Sequence, residues 1–233
     1  MGASSMAKRL DLLDLSDGAA GRLGLAGVAV ILAGALVTAI PYSGYAGERY
    51  SPLNHFVSEL GELAASRLAV VFDAGLVIGG TALAVFLVLV SRRLSGHYGA
   101  ALAAAGVVAG LFGVLVGIFP MDTLAVHRIV SGGFFLTGWI TAAIFAVWMA
   151  RHDHSGFPRW LLATAVFSVA VDFVFVAVYS TYRPVDPDAH ILSRPEVWSV
   201  PLLEWASLLS LLLWLACTAV VLAQRSGNPT PEG

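Results

Sequence analysis

Six long apolar runs, at 23–41, 68–91, 99–119, 128–150, 159–181 and 199–223, make up most of the chain, and charged residues collect in the short stretches between them. Crossing a hydrocarbon core of about 30 Å takes about 20 helical residues, so each run is long enough to span a bilayer. Lipid offers no partner to backbone N–H and C=O groups, and a helix satisfies them within one segment. The pattern predicts an all-α fold: a polytopic membrane bundle of six transmembrane helices in one domain, 23–223, between tails at 1–22 and 224–233. Pro41 and Pro120 fall at the ends of the first and third runs, where a helix can stop without losing internal hydrogen bonds.

The longest polar interruption is the stretch from Tyr50 to Glu62, between runs one and two. Ser51 followed by Pro52 is a helix-start signal. His55, Glu59 and Glu62 then fall at i, i+4 and i+7, with Leu53, Phe56, Val57, Leu60 and Leu63 on the other faces. This predicts a short amphipathic helix in the first loop, either lying on the lipid headgroups with its polar face in water or carrying a functional site.

Composition agrees with the membrane reading: 58% of the 233 residues are hydrophobic and 12% charged, against about 25% charged in soluble domains. A net charge of -2 with no basic face excludes a nucleic-acid footprint. The single cysteine, Cys217, excludes an intramolecular disulfide and a cysteine-based metal site. Lys8, Arg9, Arg22, Arg92, Arg93, Arg151, Arg159 and Arg225 fall on one side of the predicted membrane, and Arg49, Arg67, Arg128, Arg183 and Arg194 on the other. The positive-inside rule then makes both termini cytoplasmic and turns the acidic, proline-bearing loops 42–67, 120–127 and 182–198 outward. The expected location is the cell (plasma) membrane, as a multi-pass protein, and the Ala, Gly and Val content fits a bacterial one. Residues 1–20 read as a short surface helix or a disordered tail and not as a cleaved signal peptide.

Three acids lie inside the runs, Asp73, Asp172 and Glu204, all in the outer half of the predicted membrane. A carboxylate there costs at least about 2.5–3.5 kcal/mol on insertion scales, so each is expected to face a cavity or a partner. For Asp172, with no cation deep enough to pair, hydroxyl or tyrosine partners in the bundle interior are expected. Gly106, Gly110, Gly113 and Gly117 share a helix face, which permits close packing either within the chain or in a homo-oligomer. At the join of runs three and four, Gly117 to Arg128 contains Pro120, Asp122 as a candidate cap and His127 near the outer face. On the same predicted side lie His55, Glu59, Glu62, His190 and Glu204. Two imidazoles and a carboxylate among these could hold a divalent metal with a position open for water, or run metal-free acid–base chemistry. Separate caps and solvated loop residues are the plainer alternative.

Three segments, Tyr50-Ser-Pro-Leu-Asn-His-Phe-Val-Ser-Glu-Leu-Gly61, Val116-Gly-Ile-Phe-Pro-Met-Asp122 with His127 following, and Pro201-Leu-Leu-Glu204, together resemble the DUF998 family of six-span prokaryotic membrane proteins. The resemblance runs from about residue 23 to 223. It implies the six-span architecture and the importance of Ser58, Glu59, Gly61, Pro120, Asp122, His127 and Glu204, and implies no activity. More distantly the layout is similar to the Frag1/DRAM group, with Val57-Ser58 where that group has Ile-Ser. A looser likeness to alkaline-ceramidase-type intramembrane hydrolases would give Ser58, Asp73, His127 and either His55 or His190 roles around zinc, although six spans stand here in place of seven.

Two functions follow as expectations. One is a protein whose outward polar cavity binds a membrane lipid or lipid-linked ligand, with Asp73, Asp172 and His190 among the cavity groups. The other is a zinc hydrolase acting on outer-leaflet lipids, with Glu59 or His127 as general base, Ser58 in the catalytic set, and His55, Asp122, His127 and Glu204 as metal ligands. A proton-coupled transporter using Asp172 as a relay has less behind it, because no acid matches it in the inner half and no motif repeats between the halves. The sharpest expectation is spatial: His55, Glu59, Asp122, His127 and Glu204 converge on one outward cavity.

Overall fold

Helix boundaries follow the apolar runs closely, with one informative exception at the start. The computed structural model describes residues 16–152, 156–181 and 194–225. Among them the first helix, α1 (Asp17–Ala39), begins six residues before the apolar run, because the Ser16 hydroxyl accepts from the Ala19 N–H and caps it. The others are α2 (Ala69–Ser91), α3 (His97–Ile118), α4 (Leu124–Arg151), α5 (Trp160–Thr181) and α6 (Ser199–Arg225). All six are long and apolar enough to cross a membrane. Short 3-10 turns occupy Val57–Gly61 and Met121–Thr123. Residues 1–15 and His190, for which the sequence raised expectations, lie outside the described residues.

Each helix packs against its neighbour in sequence, and α6 returns to α1, so the six close into a ring. The ring's outer surface carries Leu36, Ile78, Leu111, Ile129, Phe167 and Phe173, all exposed, an apolar coat suited to lipid. Inside, Phe86, Phe145, Trp148 and Trp214 are fully buried.

Glycine makes the close contacts. A methyl placed on Gly21 of α1 would stand 2.3 Å from the Ala223 backbone N on α6, and one on Gly79 of α2 would stand 2.9 Å from the Gly27 carbonyl oxygen on α1. Gly106, Gly110 and Gly117 of α3 meet Leu87, Ala84 and the Asp73 carbonyl of α2 in the same way, so this face is used within the chain.

At one end of the ring, the start of α1 meets the end of α6 and the turn after α2. Asp17 pairs with Arg93, and with Arg225 at 3.6 Å. Arg225 also lies over the Phe157 ring, 4.9 Å from its centroid. The opposite end carries the long first loop.

A candidate polar site at the first-loop end

The first loop does not form the expected amphipathic helix. Residues 51–55 make a turn, in which the Asn54 and His55 amides donate to the Ser51 carbonyl, and only Val57–Gly61 is helical, as a 3-10 turn whose five residues are all buried. The reason lies with Glu59. On an amphipathic helix it would share a wet face with His55 and Glu62; here its carboxylate turns inward, accepting from the Phe56 N–H at 2.9 Å and the Tyr42 hydroxyl at 3.2 Å. Both oxygens are also gripped by Arg194, from the stretch just before α6, at 2.9 and 2.8 Å. A two-pronged guanidinium–carboxylate pair is among the strongest polar contacts, and with both side chains at least nine-tenths buried it is little screened by water.

More bonds tie the first loop to the chain before α6. The Arg194 guanidinium donates to the Asn54 carbonyl, the Asn54 amide to the Pro195 carbonyl, and the Trp198 N–H to the Leu53 carbonyl. Glu204, on the first turns of α6, accepts from the Val57 N–H at 2.7 Å and from Ser58. The Trp205 indole donates to the Tyr50 hydroxyl at 2.7 Å, and that hydroxyl donates to the Phe56 carbonyl. Segments about 140 positions apart in sequence are thereby locked into one polar cap.

Burial governs the ionisation of this cap. Burial, then the Glu59 charge, raises the Tyr42 phenol well above its ordinary value; burial, then Glu204, does the same for Tyr50, so both stay neutral. For Arg194, burial works against the charge, but the hydrogen bonds and charge of Glu59 outweigh it and hold the guanidinium above its usual value. His55 is pushed down by burial, with Glu59 opposing and Arg194 assisting, and is neutral at pH 7.

The remaining predicted residues sit as follows. Asp122 does not cap α4; its Oδ2 accepts from the Leu63 N–H at 2.8 Å and fastens the first loop to the α3–α4 turn, because that amide has no helix to bond within. Glu62 beside it accepts from the Tyr45 hydroxyl, and burial raises its carboxyl. His127 is buried in α4 with Nδ1 2.8 Å from the Phe119 carbonyl, bracing the end of α3. Asp73 packs against Gly61, where an added Cβ would fall 2.3 Å from its Oδ1. Asp172 faces the bundle interior, bonded to the Ser168 and Ser207 hydroxyls, in line with the partners anticipated for it.

His55, Glu59, Ser58 and Glu204 therefore share one cap, Asp122 borders it, and His127 serves a separate contact. Their polar atoms are largely spent on backbone and on one another. Among the described residues no three His, Cys, Asp or Glu side chains are grouped so as to hold a metal ion, and the set His55, Asp122, His127 and Glu204 is not gathered as metal ligands. Sequence reasoning missed Tyr42, Glu48, Asn54, Arg194 and Trp205. The available signal was charge: a carboxylate in an apolar loop needs a cation, and Arg194 stood in the facing loop.

Between the helices, at the middle of the ring, lies a small apolar cavity. Leu76 and Leu83 of α2, Ala109 of α3, Gly138 of α4 and Leu208 and Trp214 of α6 are among the residues that line it.

Six apolar helices closed into a ring, each long enough to cross a membrane, define a multi-pass membrane protein. Residues 28–221 match the family described as Protein of unknown function (DUF998), and the chain belongs to that family. No curated protein and no solved structure matches it.

Proposed function

We propose that this protein binds a membrane lipid or lipid-linked molecule, holding its hydrocarbon chain between the helices and its polar end at the cap. The observation that carries the reading is the apolar cavity between the middles of the helices. Its apolar lining suits an acyl or isoprenoid chain and no polar substrate. One end of the ring carries the polar cap of the first loop beside the apolar bundle, and the ligand's polar end is placed there. On the orientation that the basic residues favour, that end faces outward.

The test is native mass spectrometry of the full chain, purified in mild detergent from a bacterial membrane, beside Ala109→Leu, which fills the cavity. Retained lipid on the wild type, lost from Ala109→Leu at unchanged thermal stability, is the expected result. A wild type that carries no more lipid than an unrelated six-helix protein overturns the reading.

A further inference from the structure

Within the cap, apart from the Arg194 Nε, one facing pair of groups is left without partners among the described residues. Glu48 Oε1 and His55 Nε2 face each other at 3.8 Å, and neither has a hydrogen-bond partner among the described residues. His55 is only 2% exposed. Buried polar atoms of native proteins are nearly always bonded, so two orphans facing each other call for an explanation.

The tautomer makes both atoms acceptors. Asn54 Nδ2 donates to the Pro195 carbonyl at 3.0 Å, which turns Asn54 Oδ1 toward His55 Nδ1 at 2.8 Å. Two acceptors, Asn54 Oδ1 and the Ser51 carbonyl at 3.3 Å, call for a proton on Nδ1 against one donor, the Ser51 amide at 3.3 Å, and on that balance we assign the proton to Nδ1. Nε2 is then a bare lone pair opposite a carboxylate oxygen.

Among the described residues the nearby hydroxyls are committed elsewhere. The Tyr42 hydroxyl is committed to Glu59, and the Tyr50 hydroxyl to the Phe56 carbonyl. Among the described residues no Lys or Arg pairs with Glu48, whose other oxygen accepts from the Ala46 N–H. The rings of Tyr42, Tyr50 and His55 pack mutually at 5.2–5.4 Å between centroids, forming aromatic walls beside the carboxylate. The Arg194 charge is neutralised by Glu59.

We propose that Glu48 and His55 form a binding site for a primary ammonium group. It supplies what the pair lacks: N–H donors for two acceptors, and a positive charge for the carboxylate and the aromatic walls. A quaternary ammonium has the charge without the donors. A divalent metal would need a third ligand that the described residues do not group here. The ammonium belongs to an ethanolamine-type lipid headgroup or to a free amine; the lipid source rests on the reading above.

Full-length protein in nanodiscs or mild detergent is exposed to phosphatidylethanolamine, phosphatidylcholine and phosphatidylglycerol of identical chains, and separately to free ethanolamine, with retention and thermal shift as readouts. The expected result is retention of the ethanolamine lipid over the choline lipid by about tenfold, the worth of one charge-assisted hydrogen bond, abolished in Glu48→Gln. Headgroup preference of the wild type needs no variant, so a Glu48→Gln that fails to fold leaves the test intact. Equal retention of the three lipids overturns the ammonium site and leaves lipid binding standing. Stabilisation by ethanolamine without any retained lipid supports the site and overturns the lipid reading. No response to any of them overturns both.

Discussion

Arg194 clasps Glu59 across 135 positions of sequence, with one guanidinium nitrogen on each carboxylate oxygen at 2.9 and 2.8 Å. This single pair fastens the first loop to the segment that enters α6. It also accounts for why a stretch with helical spacing does not become an amphipathic helix: a charge that finds its counter-ion in the protein has no need of the water-facing side.

Breaking the pair on one side leaves a buried charge alone, which costs about 3–5 kcal/mol. Glu59→Gln is therefore expected to lower the unfolding temperature in detergent sharply and to expose the first loop to proteases. The double variant Glu59→Leu with Arg194→Leu should be less damaged than either single charge deletion. Equal stability of Glu59→Gln and wild type would show that the pair does not hold the cap.

Gly21→Ala is expected to destabilise by about 1–3 kcal/mol, the usual penalty of overpacking. Its new methyl would meet the Ala223 N at 2.3 Å and the Ala219 carbonyl oxygen at 2.4 Å, both backbone atoms that no rotamer change can move. Gly132→Ala, where nothing lies within 4 Å, is the matched control and should unfold with the wild type.

Acid should loosen the cap through His55. Its folded pKa lies below the ordinary value of about 6.5, so the unfolded chain binds the proton more readily. The contribution is fully present above about pH 6.5 and is lost as pH falls from there toward the depressed folded value. Glu62, raised by burial, acts in the opposite sense: its carboxyl favours the fold when protonated, and that contribution is lost as pH rises through its folded pKa. Replacing His55 with Gln should flatten the stability profile just below about pH 6.5, as measured by thermal unfolding from about 1.5 pH units below the free imidazole value to about one unit above it. An unchanged slope would mean that His55 is not the titrating group.

Asp172→Ala removes the bridge from α5 to Ser207 on α6 and leaves two hydroxyls to find other acceptors. Interhelical hydrogen bonds of this kind average about 0.6 kcal/mol and reach about 1.7 kcal/mol. A loss within that range is expected in a steric-trapping or denaturant measurement, and Asp172→Asn should recover much of it.

What the sequence determined by itself was the architecture. Six runs of about 20 apolar residues leave a chain one option in lipid, because backbone groups must bond within their own segment, and the helices appear within a few residues of the runs. The interior partners of Asp172 were likewise legible, since no cation lies deep enough to reach it. Glycine spacing marked α3 for close packing, while the equally tight face of α1 at Gly21, Gly24 and Gly27 went unread. Only the tertiary structure decided how the polar loops are used. Local periodicity put His55, Glu59 and Glu62 on one wet face; long-range pairing with Arg194 and Glu204 buried Glu59 instead, spread the predicted metal set over separate contacts and left Glu48 facing His55. Such pairings join residues far apart in the chain, their strength depends on burial that only the assembled ring provides, and no spacing within one segment encodes them.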